Sequence, residues 1–239
     1  MLIDTPKIWY SPTRPFSYHY KILEHMDAIT LDKKFKCLRE AKTLAVAGFA
    51  LFMKTGNPTF LNLCESDPPD GLLMRSSTDN FGTLEILKVE ITHYFGRQNE
   101  TLLEQLQRTK TPEKPIFGSD YLVLVELRTQ NTIDYEEIRN YLNSINNPFP
   151  VWTLKPLQLT PDTIAEVIII NPDIHKIVVN AGEAAFKYKE QKVPHVLEIK
   201  RVAKPKDVRF EESETKIISK PLWETDAERT LDKLGIHLS

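Results

Sequence analysis

The chain has 239 residues, with 31 Lys and Arg against 33 Asp and Glu, for a formal net charge of −2. That balance excludes a globally basic nucleic-acid coat and leaves a local basic patch as the route to a polyanion. With 41% hydrophobic and 27% charged residues, the composition is that of an ordinary globule, long enough for one large domain or a core with a smaller attachment. Cys37 and Cys64 are the only cysteines and stand outside any metal-ligand spacing, which points to a reduced, intracellular setting. No stretch approaches the ~20 apolar residues of a membrane span. Pro6, Pro12 and Pro15 interrupt any leader-like pattern. A cytoplasmic location without a membrane partner is the expectation.

In chain order, residues 1–15 read as extended, with Trp9 and Tyr10 as anchors. Tyr18 to Ile29 suits a short helix. Lys33 to Lys54 is the strongest helix: Phe35, Leu38, Ala45, Phe49 and Phe52 form one apolar line, and Cys37, Leu44, Ala47 and Leu51 another. Glu40 lies on an inward-leaning stripe of it. Gly56, Asn57 and Pro58 stop it. Thr59 to Cys64 is a short strand. Leu72 to Met74 and Thr83 to Thr92 are two strands joined by the polar turn Ser76 to Gly82. Asn99 to Lys110 is a helix with Leu102, Leu103 and Leu106 inward, capped by Asn99 or Gln98. Tyr121 to Leu127 is an apolar run suited to a central strand. Asp134 caps a helix to Ile145, and Val151 to Leu154 is a strand. Beyond Lys155 the pattern turns β-rich: Ile164 to Ile170, Lys176 to Val179, Ala184 to Lys189 and Val196 to Val202. A charged strand or arm, Val208 to Ser219, and a helix, Asp226 to Leu234, follow. Residues 1–155 are therefore expected to form an α/β core, and 156–239 a β-rich region that either stands apart or extends the first sheet.

The chemistry concentrates between residues 66 and 92. Alternation along a strand puts Lys88, Glu90 and Thr92 on one face. Asp70, at the Pro-Pro-Asp-Gly corner, enters the neighbouring strand. Two carboxylates from adjacent strands would meet there. Mg²⁺ prefers hard oxygen ligands and is commonly held by one or two carboxylates with water and phosphate. Such an ion activates water against a phosphodiester. Asp70 and Glu90 supply that minimum, and the Ile91 carbonyl a third oxygen.

Pro69-Asp70, followed after a hairpin by Val89-Glu90-Ile91-Thr92, resembles the PD-(D/E)xK nuclease superfamily. The element order from Lys33 to Leu127 resembles that family's core. The resemblance implies an α/β fold with an αβββαβ restriction-endonuclease-like core and a β-rich C-terminal extension. It implies metal-dependent endonuclease or exonuclease activity on nucleic acid, DNA more than RNA. Asp70 and Glu90 would bind Mg²⁺ or Mn²⁺, and Glu40 would join them from the helix. Thr92 stands where the family has Lys. It can hydrogen-bond a water but offers no positive charge. Lys88 would bring an ammonium from the other direction, with His93 and Arg97 as weaker substitutes. The alternative is an inactive nuclease fold kept for binding or scaffolding.

A rival spelling, Pro172-Asp173 with Glu198-Ile199-Lys200, has the intact lysine but no long helix before it. The basic run that includes Lys187, Lys189, Lys200, Arg201 and Lys204 suits a phosphate backbone or a solvated face. It would serve substrate or a second subunit, so a homodimer or larger complex is compatible.

Overall fold

The structure, a computed structural model, describes residues 8–23, 36–64, 69–76, 84–96, 100–109, 119–160, 163–200, 209–212, 221–233 and 235. Ile8–Tyr10 (β1) leads into the helix Thr13–Leu23 (α1), and the long helix is Lys36–Thr55 (α2). Thr59–Leu63 (β2), Gly71–Ser76 (β3) and Leu84–Tyr94 (β4) precede Leu102–Thr109 (α3), Tyr121–Leu127 (β5) and Tyr135–Ser144 (α4). Val151–Thr160 (β6), Thr163–Ile169 (β7) and His175–Val179 (β8) are followed by Ala181–Glu190 (α5). Val196–Lys200 (β9), Arg209–Glu212 (β10) and Leu222–Lys233 (α6) complete the chain. The expected α/β class is what the chain adopts.

The strands form one ten-stranded mixed sheet in the order β10-β9-β1-β2-β3-β4-β5-β6-β7-β8. Strands β2, β3 and β4 are antiparallel neighbours; β4, β5 and β6 run parallel. The expected 155/156 boundary falls inside β6, and the later strands join both sides of the same sheet. β7 and β8 extend it beyond β6, while β9 pairs with β1 through Ile8↔Glu198, Trp9↔Leu197 and Tyr10↔Val196.

Alternation along β5 divides the core. Leu122 and Leu124 join α1, α2, α5 and α6 on one face. Val123 and Val125 join Leu102 and Leu106 of α3 and Ile138 and Leu142 of α4 on the other. Helix α2 is buried from Ala41 to Phe52, which includes Lys42 and Thr43. It ends where Gly56 takes φ +73°, a left-handed cap that glycine tolerates without a Cβ clash. Trp223 of α6 is 1% exposed and sits edge-on against Tyr10 and Tyr18, at 5.8 and 5.9 Å between centroids. Glu224, equally buried, pairs with Arg14 and accepts from the Tyr18 hydroxyl at 3.0 Å.

Three local expectations are corrected. Ala184 to Lys189 is not a strand but the body of α5. The Asn180 side chain caps it by accepting from the Glu183 N–H at 3.0 Å, and Ala181, Ala184 and Tyr188 point inward at helical spacing. The α3 cap is Thr101, whose hydroxyl accepts from the Glu104 N–H at 3.1 Å while Glu104 accepts from the Thr101 N–H at 2.6 Å. Asn99 and Gln98 lie outside the described residues, as does most of the turn Ser76 to Gly82. Finally, β6 runs ten residues rather than four, because Trp152 to Pro156 pair with Ala165 to Ile169.

Gly71 opens β3 under α2. A Cβ there would lie 2.7 Å from Leu44 Cδ2 and 3.2 Å from the Asn62 carbonyl oxygen. The missing side chain is what lets the helix lie close beside Asp70. Gly71→Ala should lose about 1–3 kcal/mol through overpacking. Urea unfolding measures it, and an unchanged midpoint would show that Leu44 yields without strain.

Candidate functional site

Asp70 immediately precedes β3, and the pairing Gly71↔Val89 and Leu72↔Lys88 carries it to the level of Glu90. Its Oδ2 accepts the N–H of Ile91 at 2.6 Å. The carboxylate is thus tied to the peptide that joins Glu90 to Ile91. Both acidic residues are half-buried. Their backbones are held by the hairpin, so the approach is built into strand register rather than into flexible side chains.

Glu40, in the first turns of α2, is half-buried with Lys36 Nζ at 3.4 Å. Burial raises its carboxyl above the usual range, Lys36 lowers it, and the negative charge of Asp70 raises it again. Cys64 feels the same charge: burial first, then Asp70, push its thiol up to about 11. Negative charge therefore gathers between the start of β3 and the N-terminal part of α2. Asp70, Glu90 and the Ile91 carbonyl are hard oxygen donors of the kind Mg²⁺ takes in small number, keeping its remaining waters. Among the described residues, no group of three or more His, Cys, Asp and Glu is arranged to hold a metal ion.

Thr92 follows on the same strand, half-buried and opposite Val125 of β5. Lys88 points elsewhere. Its ammonium lies 2.6 Å from Asp120 Oδ2 and 5.1 Å above the Tyr121 ring. The basic run is dispersed: Lys187 pairs with Glu183 at 2.6 Å and Lys189 is exposed, both in the last turn of α5, while Lys200 closes β9. Arg201 and Lys204 lie outside the described residues, as does Arg97. The rival pair is separated by the topology. Asp173 follows β7 and Glu198 sits in β9, near opposite ends of the sheet. They cannot share an ion.

A second charged cluster escaped the sequence reading. Glu126, 0% exposed, faces α2 from β5. Its Oε1 meets Arg128 at 3.0 Å and Lys42 at 3.9 Å, and its Oε2 meets His93 Nδ1 at 3.3 Å and accepts from Thr43 at 3.4 Å. Burial pushes the Glu126 carboxyl up, but the His93 hydrogen bond and the charges of Lys42 and Arg128 outweigh it and hold it at about 2. His19, 4% exposed, lies by the same charges. Burial, then Lys42, press its imidazole down to about 3, so it folds neutral. The signals were a lone acid inside Tyr-Leu-Val-Leu-Val-Glu-Leu and a lone Lys in the apolar part of α2. Register places His93 directly beside Glu126, one residue past Thr92.

Comparison of the chain with protein-family models, with curated proteins and with solved structures found no match.

Proposed function

We propose that the chain is a PD-(D/E)xK-type nuclease that hydrolyses phosphodiesters of nucleic acid, DNA in preference to RNA, with Mg²⁺ or Mn²⁺. The observation that carries the reading is the bond from the Ile91 N–H to Asp70, which ties the first acid of the motif to the peptide that follows the second. Further support comes from the order α2-β2-β3-β4-α3-β5, with an antiparallel β2-β3-β4 meander and β5 parallel to β4. It is the order the resemblance implies for an αβββαβ core.

Asp70 and Glu90 would hold the ion, with the Ile91 carbonyl beside them. Bound there, a divalent cation lowers the pKa of a water and neutralises charge on the phosphate. The Thr92 hydroxyl orients a water by hydrogen bonding. Glu40, whose carboxyl feels the charge of Asp70, would assist from the helix. The region after residue 156 would contact substrate or a second copy in a homodimer or larger complex. Among the described residues no helix is long and apolar enough to cross a membrane.

A second reading, a nuclease fold kept for binding or scaffolding, is favoured by Thr92 and by the capture of Lys88 by Asp120. Calorimetric titration with Mn²⁺, paired with cleavage of DNA in Mg²⁺ or EDTA, tests both. The expected result is one binding event, abolished in Glu90→Ala, and cleavage that EDTA stops. Absence of Mn²⁺ binding to the wild type would sink the nuclease reading. Binding without cleavage would select the scaffold.

A further inference from the structure

Beyond Thr92, β4 continues through His93 and ends at Tyr94, and Phe95 and Gly96 follow it. Phe95 is 57% exposed, an unusual display for so large an apolar side chain. Its backbone is pinned. Gly96 has φ +60°, and a Cβ there would lie 2.7 Å from Asn131 Nδ2 and closer still to Thr129. The Gly96 carbonyl accepts from Asn131 Nδ2 at 3.4 Å. The His93 ring, its Nδ1 3.3 Å from Glu126 Oε2, stands 6.2 Å from Phe95, tilted by 56°. His93 and Phe95 both contribute to the lining of a cavity of about 200 Å³ that Tyr94, Gln105 and Arg108 also line. Its walls are stitched together: Gln105 Nε2 donates to the His93 carbonyl at 3.0 Å, and the Tyr94 hydroxyl donates to the Glu100 carbonyl at 2.9 Å. Arg108 is 64% exposed at the rim, where it pairs with Glu100 at 2.8 Å.

A rigid exposed ring at the mouth of a small polar cavity suits a ligand with a flat π-face and hydrogen-bonding edges. A bare phosphate has no use for Phe95. An apolar ligand would offer no hydrogen bonds to a lining that includes Gln105, Arg108 and Thr109. A nucleobase uses both, provided it is unpaired, because a duplex hides its base faces in the stack. Distance agrees with the catalytic reading. Five strand residues separate Glu90 from Phe95, about 17 Å at the usual rise. That equals roughly five nucleotides stacked at 3.4 Å.

We propose that the cavity at the tip of β4 is a subsite for an unpaired nucleobase, with Phe95 as its stacking platform. The inference rests on the nuclease reading for the nature of its ligand, and it names the substrate class: a strand with an overhang, gap or frayed end a few nucleotides from the scissile phosphate.

The test is fluorescence anisotropy of the full chain in EDTA, with a labelled single-stranded oligonucleotide and with the blunt duplex of the same sequence. Phe95→Ala should weaken single-strand binding by about 5- to 150-fold, the span of 1–3 kcal/mol per stacked base. Phe95→Trp should retain it, and duplex binding should be the same in all three. Phe95 is exposed, so the substitutions leave the core intact. Equal single-strand affinity in wild type and Phe95→Ala overturns the proposal. So does an equal loss on duplex, or a wild type that binds no single strand. Cleavage by the same preparations in Mg²⁺ separates the two ideas. Activity with no Phe95 effect removes the subsite and leaves the nuclease. A Phe95 effect without activity does the reverse.

Discussion

Asp70→Asn is expected to fold as the wild type does and to lose about a thousandfold of metal-dependent cleavage. The asparagine carbonyl oxygen can still accept the Ile91 N–H that Oδ2 accepts at 2.6 Å, so the start of β3 stays fixed to β4. What disappears is the charge that a hard cation needs. Charge stabilisation by a bound metal supplies several kcal/mol, and about 4 kcal/mol corresponds to a factor of a thousand. Asp70→Ala removes the hydrogen bond as well and should lose a further 1–3 kcal/mol of stability, roughly the penalty of an unmet buried donor. Measuring kcat alongside the thermal midpoint separates these effects. An Asp70→Asn enzyme within tenfold of the wild type would reject Asp70 as a ligand.

Glu126→Ala should be strongly destabilising. It removes a carboxylate partner of Lys42, 6% exposed, of Arg128 and of His93. Breaking a buried ion pair from one side costs about 3–5 kcal/mol. For a domain of this size that lowers the thermal midpoint by roughly 6–20 °C. The same cluster sets an acid limit. Glu126 is held at about 2 against an ordinary 4.5, so its contribution is complete above pH 4.5 and is lost as pH falls towards 2. His19 is depressed to about 3 from 6.5, so its contribution is complete above pH 6.5 and begins to fall below it. Urea midpoints should therefore decline in mild acid, before Glu126 titrates. His19→Asn should flatten the upper part of that decline. A Glu126→Ala midpoint within about 2 °C of wild type, less than 1 kcal/mol, would show that the cluster is not a structural keystone.

Most of the elements between Lys36 and Leu127 could be read from the sequence because their periods are unambiguous. The apolar lines of α2 and the continuous run of β5 each admit one interpretation. The meeting of Asp70 with the Glu90–Ile91 peptide followed from counting residues around a short hairpin, a local operation. Errors arose where two periods fit the same letters: Ala184 to Lys189 alternates well enough for a strand, and the Asn180 cap with its inward Ala181 and Tyr188 decides for a helix. The Glu126 cluster has single-residue signals in the sequence, but its assembly does not, because Lys42, His93 and His19 come from distant parts of the chain. Alternation puts Lys88 on the face of Glu90, but its ammonium is captured by Asp120 at 2.6 Å. The basic run was counted along the chain, whereas helix α5 and strand β9 divide it in space.

The place of β1 has a consequence for biosynthesis. This three-residue strand lies between β2 and β9, with three pairings to β9 against one to β2. At about 5–20 residues per second, roughly 10–40 s pass on the ribosome between translation of Tyr10 and of its mate Val196. Through that interval the nascent sheet has an open flank with Trp9 waiting beside it. Unpaired strand edges of that kind are where partly made chains aggregate, so completion of β9 is what closes the hazard.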